Sequence, residues 1–273
     1  MTLNPAQDKF VLKRQLTPSP GFAKTTPYLP CTVTHSRPRW RGVPGSVPSA
    51  ASGNAYYHNR RAVSGNNCEH PDKYVYNPTN KKPDSQYWHG DSRHKGICIH
   101  TFNDFKIELL QNFNPKFRYI LPFRVTGHGQ TFTLFAIWAM GNKENYDARY
   151  IGQVWLAIDY YSDLLKGPAI LVGDFNSNKI WDFKKRVGDH SDVVEKLAEN
   201  NIQSIYHRHF KIEQGIEKHP TFFLQRKLSK PYHIDYCFAS GDFLDKVQNV
   251  AIGTYEDWSA YSDHAPMTID FDI

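Results

Sequence analysis

The chain's clearest alternation is its last stretch. Met267, Ile269, Phe271 and Ile273 alternate with Thr268, Asp270 and Asp272, a period of two that predicts a strand with one buried face. Upstream, residues 96–100, 105–109 and 117–125 read as successive strands with polar connections. Gly127-His128-Gly129-Gln130 is a hairpin turn into residues 131–139, an apolar run long enough for a central strand. A helix follows, with Ile151, Val154, Trp155, Ile158, Leu164 and Leu165 near the helical repeat. Asp147 is placed near its start, and Gly167-Pro168 stops it. Residues 169–172 form a short apolar run, read as a buried strand that ends at Gly173. Residues 193–199 predict a second helix, with Val194, Leu197 and Ile202 on its apolar side. Strands are expected at 204–206, 221–224 and 233–238, and a short turn of helix at 243–247.

Strands dominate this pattern, and no regular strand–helix–strand rhythm of the doubly wound kind appears. The expected architecture is two packed sheets with helices outside. Residues 1–67 stand apart: they lack periodicity and hold eight of the 17 prolines. They also hold nine Lys/Arg and one acid, so with the whole chain at +6 the remainder is net −2. The basic balance therefore belongs to this arm and is no footprint of nucleic-acid binding by the rest. Segments 37–45 and 46–52 read as loop or disorder. The chain divides into an atypical basic, Pro-rich segment, 1–67, and a domain, 68–273.

No stretch approaches the roughly 18 apolar residues of a membrane helix, and the first residues lack the apolar core of a secretory signal. Cys31, Cys68, Cys98 and Cys237 lie far apart, without metal-ligand pairs. Reduced thiols and a cytoplasmic location are expected.

Three polar clusters fall at strand ends. In Gly173-Asp174-Phe175-Asn176 a carboxylate and a carboxamide flank Phe175. On extended chain Asp174 and Asn176 point the same way, where they could hold a water and a phosphoryl oxygen together. An Asx-turn is the alternative for such a segment. Asp235 sits between Ile234 and Tyr236 in an apolar strand, which is costly without a partner. His264, in Ser262-Asp263-His264, is a natural partner, because a carboxylate fixes the orientation and charged form of an imidazole. Asp263 is a hard oxygen ligand suited to Mg²⁺.

In this order the three clusters resemble the endonuclease/exonuclease/phosphatase superfamily, the DNase-I-like proteins. The family's Gly-Asp-Xaa-Asn, Asp-Tyr and Ser-Asp-His motifs are matched by Gly173-Asp174-Phe175-Asn176, Asp235-Tyr236 and Ser262-Asp263-His264. The resemblance covers roughly residues 68–273 and implies an α+β fold, a four-layer α/β/β/α sandwich of two packed mixed sheets flanked by helices. It implies a metal-dependent phosphodiester hydrolase, most simply nuclease-like, acting on nucleic acid or another phosphodiester. A lipid or inositol phosphate substrate, or a catalytically impaired member acting as a binding module, are the alternatives. Carried onto this chain, Asp174 orients or deprotonates the attacking water, and Asn176 binds that water or the phosphate. His264 contacts a phosphate oxygen, and Asp235 holds its ring. Mg²⁺ or Mn²⁺ is held by Asp263, with Glu69 as the candidate for the family's glutamate. The family's mid-chain histidine has no counterpart: the strand reads Phe135-Ala136-Ile137-Trp138-Ala139, with Trp138 expected in the core.

Overall fold

The computed structural model describes residues 9–12, 28–30, 32–34, 83–92, 95–183, 186–260 and 262–272. The arm supplies three short strands, β1 (Lys9–Leu12), β2 (Tyr28–Pro30) and β3 (Thr32–Thr34). Then come β4 (Ser85–Ser92), β5 (Lys95–Thr101), β6 (Lys106–Leu109), β7 (Ile120–Gly127) and β8 (Gln130–Trp138). Helix α1 (Ile151–Tyr160) precedes β9 (Ala169–Asp174), and α2 (His190–Ala198) precedes β10 (Ile202–Ser204) and α3 (Ile205–Phe210). The chain continues through β11 (Phe222–Phe223), β12 (Pro231–Tyr232), β13 (Asp235–Ser240) and α4 (Gly241–Leu244). It closes with β14 (Val247–Ile252), α5 (Tyr255–Trp258) and β15 (Met267–Asp272).

A six-stranded sheet runs β10-β13-β9-β8-β7-β6. It is mixed, because β8 and β9 are parallel while β7–β8 and β9–β13 are antiparallel. A second mixed sheet, β14-β15-β1-β2, and a third, β3-β5-β4, carry the three arm strands. Segments 37–45 and 46–52 lie outside the described residues.

Alternation builds two cores, one on each face of the large sheet. Leu134, Ala136 and Trp138 of β8 point with Cys237 and Ala239 of β13 toward Ile97, Ile99, Ile269 and Phe271 of the other sheets. Phe135, Ile137, Leu171, Tyr236 and Phe238 point the opposite way, against Ile151, Val154 and Ile158 of α1 and Val193 and Leu197 of α2. The order helix, sheet, sheet follows from a central sheet whose strands are apolar on both faces. The fold is an α+β sandwich of mixed sheets with flanking helices. Trp138 is fully buried, as expected of core.

Several boundaries differ from the sequence reading, each for a local reason. Helix α1 ends at Tyr160, and Leu164 and Leu165 sit on a separate 3-10 turn over 162–165. Helix α1 starts at Ile151, preceded by Tyr150 without a side-chain cap, and Asp147 lies four residues ahead of it. Helix α2 begins earlier than residue 193, because Asp189 and Asp192 form a capping box. Residues 204–206 are not a strand: β10 stops at Ser204, and Ile205 and Tyr206 open α3. Their apolar side chains serve a short helix as well as a strand. The turn at His128-Gly129 matches expectation, with φ of 49° and 75° at its two central residues.

Candidate active site

The site is built at the ends of β8, β9 and β13. Strand β9 carries Asp174 on its last residue, directly opposite Asp235, the first residue of β13. The approach of β8 to β9 requires Gly173, whose φ is 139° and where a Cβ would overlap the carbonyl oxygen of Ile137. The buried Asp174 then meets an Asx-turn. The Asn176 N–H donates to Asp174 Oδ1 at 2.7 Å, and Asn176 Nδ2 donates to Asp174 Oδ2 at 2.7 Å. That Nδ2 also donates to the carbonyl of Ala139 at 2.9 Å, while the Ala139 N–H donates to the Asp174 carbonyl at 2.8 Å. Asn176 achieves this with φ at 47°, a region that asparagine tolerates.

Asp174 and Asn176 therefore meet through a turn and not by extended alternation. The turn settles the chemistry of the amide. Both acceptors around Nδ2 are oxygens that cannot donate, so its two hydrogens are committed to Asp174 and Ala139. The remaining polar atom of the Asn176 amide is Oδ1, an acceptor.

The second half of the site is an imidazole–carboxylate pair. His264 Nδ1 lies 2.8 Å from Asp235 Oδ2. The ring is 5% exposed and packs against Phe222, with centroids 4.7 Å apart. His264 precedes β15 and is held by an isolated bridge to Phe222 and by Ser262 Oγ, which accepts its N–H at 3.0 Å. Burial alone would lower the His264 pKa. The charge and hydrogen bond of Asp235 outweigh it, with Asp174 and Asp263 adding, and the pKa is raised above 6.5. Asp174, Asn176, Asp235 and His264 thus come together at one sheet end, and Asp263 is close enough to bias His264 electrostatically.

Glu69 lies outside the described residues. Asp263 is a hard carboxylate of the kind Mg²⁺ takes. Among the described residues no group of three or more His, Cys, Asp or Glu side chains forms a metal cluster. Cys98 and Cys237 are buried, and Cys31 and Cys68 lie outside the described residues. No helix of the described residues is long and apolar enough to cross a membrane.

No protein-family model matches the chain, and no curated protein does. Solved structures do. One is the endonuclease domain of TRAS1, a telomere-specific non-LTR retrotransposon, at 17% identity and TM-score 0.46, covering 68% of this chain and 77% of that one. Another is an AP endonuclease from Archaeoglobus fulgidus, at 15% identity and TM-score 0.48, covering 69% and 79%. A third is an endonuclease/exonuclease/phosphatase from Beutenbergia cavernae, at 14% and 0.45, covering 69% and 53%. Many structural neighbours are of the endonuclease/exonuclease/phosphatase family.

The sequence reading missed a polar layer near the Asx-turn. The side chain of the buried Asn178 donates to Glu217 Oε2 at 3.0 Å and to the carbonyl of His233 at 2.9 Å. Its nitrogen also lies 3.1 Å from the Tyr236 hydroxyl. Glu217 Oε1 meets His207 Nε2 at 3.0 Å and accepts the Gly215 N–H. Burial alone would raise the Glu217 pKa, but the bonds from His207, Asn178 and Gly215 pull it down to about 2. These contacts span up to 58 residues of chain. No periodicity marks such pairs in a sequence.

Proposed function

We propose that the protein is a phosphodiester hydrolase, most simply one acting on nucleic acid. The observation that carries this reading is the pairing of two half-sites, with Asp174 opposite Asp235 in register and His264 on Asp235 at 2.8 Å. Asp174, an acceptor fixed by two bonds from Asn176, orients and deprotonates a water, whose other hydrogen Asn176 Oδ1 accepts. With Nδ1 committed to Asp235, His264 presents Nε2 as donor to a phosphate oxygen. Its raised pKa favours the charged form, which suits a site where charge builds on the phosphoryl group during displacement. The matched motifs of the endonuclease/exonuclease/phosphatase superfamily agree with these roles.

Asp263 together with Glu69 would hold Mg²⁺ or Mn²⁺, which supplies Lewis-acid charge when bound. The water and the imidazole are handled by the chain's own residues as described. The test is hydrolysis of single- and double-stranded DNA, RNA and bis(p-nitrophenyl) phosphate by the full chain, with Mg²⁺ or Mn²⁺ and again with EDTA. Cleavage abolished by EDTA is the expected result. Absence of cleavage of every substrate in the presence of metal overturns the reading.

A further inference from the structure

Thr221 bonds the backbone of Asp235 and of Ala265, the residue after His264. It is fully buried just ahead of β11. Its Oγ1 accepts the N–H groups of Ile234 and Asp235, each at 3.0 Å. Its carbonyl accepts the Ala265 N–H at 2.8 Å, and its own N–H donates to the Tyr232 carbonyl at 2.9 Å. Asp235 opens β13 and Ala265 follows His264, so one residue holds the chain on each side of the 2.8 Å contact.

The two N–H groups need this oxygen. The ladder between β9 and β13 starts at Asp235, so Ile234 stands ahead of it, and Ile234 is buried. A buried N–H without an acceptor is costly, and a hydroxyl oxygen has two lone pairs to offer. We propose that Thr221 is a positioning residue, whose hydroxyl sets the angle at which Asp235 meets His264. Without it, residues 234 and 235 turn to find other acceptors, and the carboxylate moves off the imidazole. The separation of Asp235 Oδ2 from His264 Nδ1 therefore reports the placement.

The inference rests on the hydrolase reading only for its kinetic consequence. The deciding experiment is the crystal structure of the full-length protein, of Thr221→Val and of Thr221→Ser, which requires no substrate. In Thr221→Val, close in shape but without the acceptor, the carboxylate leaves the imidazole and the 2.8 Å contact between Asp235 Oδ2 and His264 Nδ1 is lost. In Thr221→Ser it is kept. With bis(p-nitrophenyl) phosphate and Mg²⁺, kcat falls on the order of tenfold in the valine variant, KM changes little, and serine restores kcat. A valine variant with the wild-type contact overturns the assignment. So does a serine variant as impaired as valine, or a valine variant that circular dichroism shows to be unfolded, since either would make Thr221 a residue of the fold alone. If the protein cleaves nothing, the hydrolase reading fails and the variant structures still decide.

Discussion

His233 and His264 sit on opposite sides of the same strand entry, and both are almost completely buried, at 4% and 5% exposure. Their proton affinities nevertheless diverge. His233 donates Nδ1–H to the carbonyl of His219 at 2.7 Å, and burial pushes its pKa down to about 4. His264 suffers the same burial, yet Asp235 turns the balance and its pKa is raised. A carbonyl dipole orients a ring without supporting its charge, whereas a carboxylate does both. The fold thus disfavours the proton on one buried histidine and favours it on the other, and the main difference is one partner.

The strongest way to break the comparison is to remove its functional side. Asp174→Ala deletes the carboxylate proposed to orient the water, and His264→Ala deletes the imidazole proposed to donate to the phosphate. Each is expected to lower kcat/KM by about 10³-fold or more, measured on whichever phosphodiester the wild type cleaves. Unchanged activity in either variant removes that residue from the mechanism. Asp235→Asn is gentler, because it preserves shape and removes charge. The His264 pKa then falls, and an amide N–H facing Nδ1 favours the wrong tautomer, so a loss of about 10²- to 10⁴-fold is expected. The pH profile gives the sign. Wild-type activity that depends on protonated His264 declines as pH rises through its raised pKa, and in Asp235→Asn that decline moves to lower pH. A basic limb left in place would separate Asp235 from the titration of His264.

Gly173→Ala attacks the platform beneath both halves. Its φ of 139° and the Ile137 carbonyl leave no room for a methyl group, so β8 and β9 must part next to Asp174. Urea unfolding is expected to show a loss of about 4 kcal/mol. A loss under about 1 kcal/mol would mean that the strands adjust at this point.

Much of this was legible in the sequence because its signals are local. The alternation at 267–273 became β15, with Ile269 and Phe271 fully buried, and residues 131–139 became the central β8. The three polar motifs named the residues that converge, since each motif lies at a strand end and strand ends share an edge of the sheet. What stayed hidden is long-range or conformational. The Asx-turn places Asn176 by a positive φ that its motif does not display. Thr221 acts through backbone groups 13 and 14 residues away. Strand β14 was missed because Val250 is its one fully buried residue, and its burial is irregular where a bulge falls between Val247 and Asn249. Glu69 lies outside the described residues, so the metal half of the resemblance rests on Asp263.

The comparison sharpens most quietly from its structural side. His233 is neutral in the fold and titrates at 6.5 when unfolded, so the unfolded chain binds more protons between pH 6.5 and about 4. The stability His233 contributes is therefore complete above 6.5 and is lost as pH falls toward 4, a difference worth roughly 3 kcal/mol. His264 runs the other way: its contribution is complete below 6.5 and is lost as pH rises through its raised pKa. His233→Phe, which keeps a ring against Tyr206 and Tyr236, should flatten the acid side of the stability curve. Some slope will remain, because burial also lowers His100, to about 4, and His190. Urea unfolding at pH 7 and pH 4.5 measures the change, and the basic limb of activity should stay where His264 puts it. If the limb moves and the acid slope does not, the two histidines have been assigned the wrong way round.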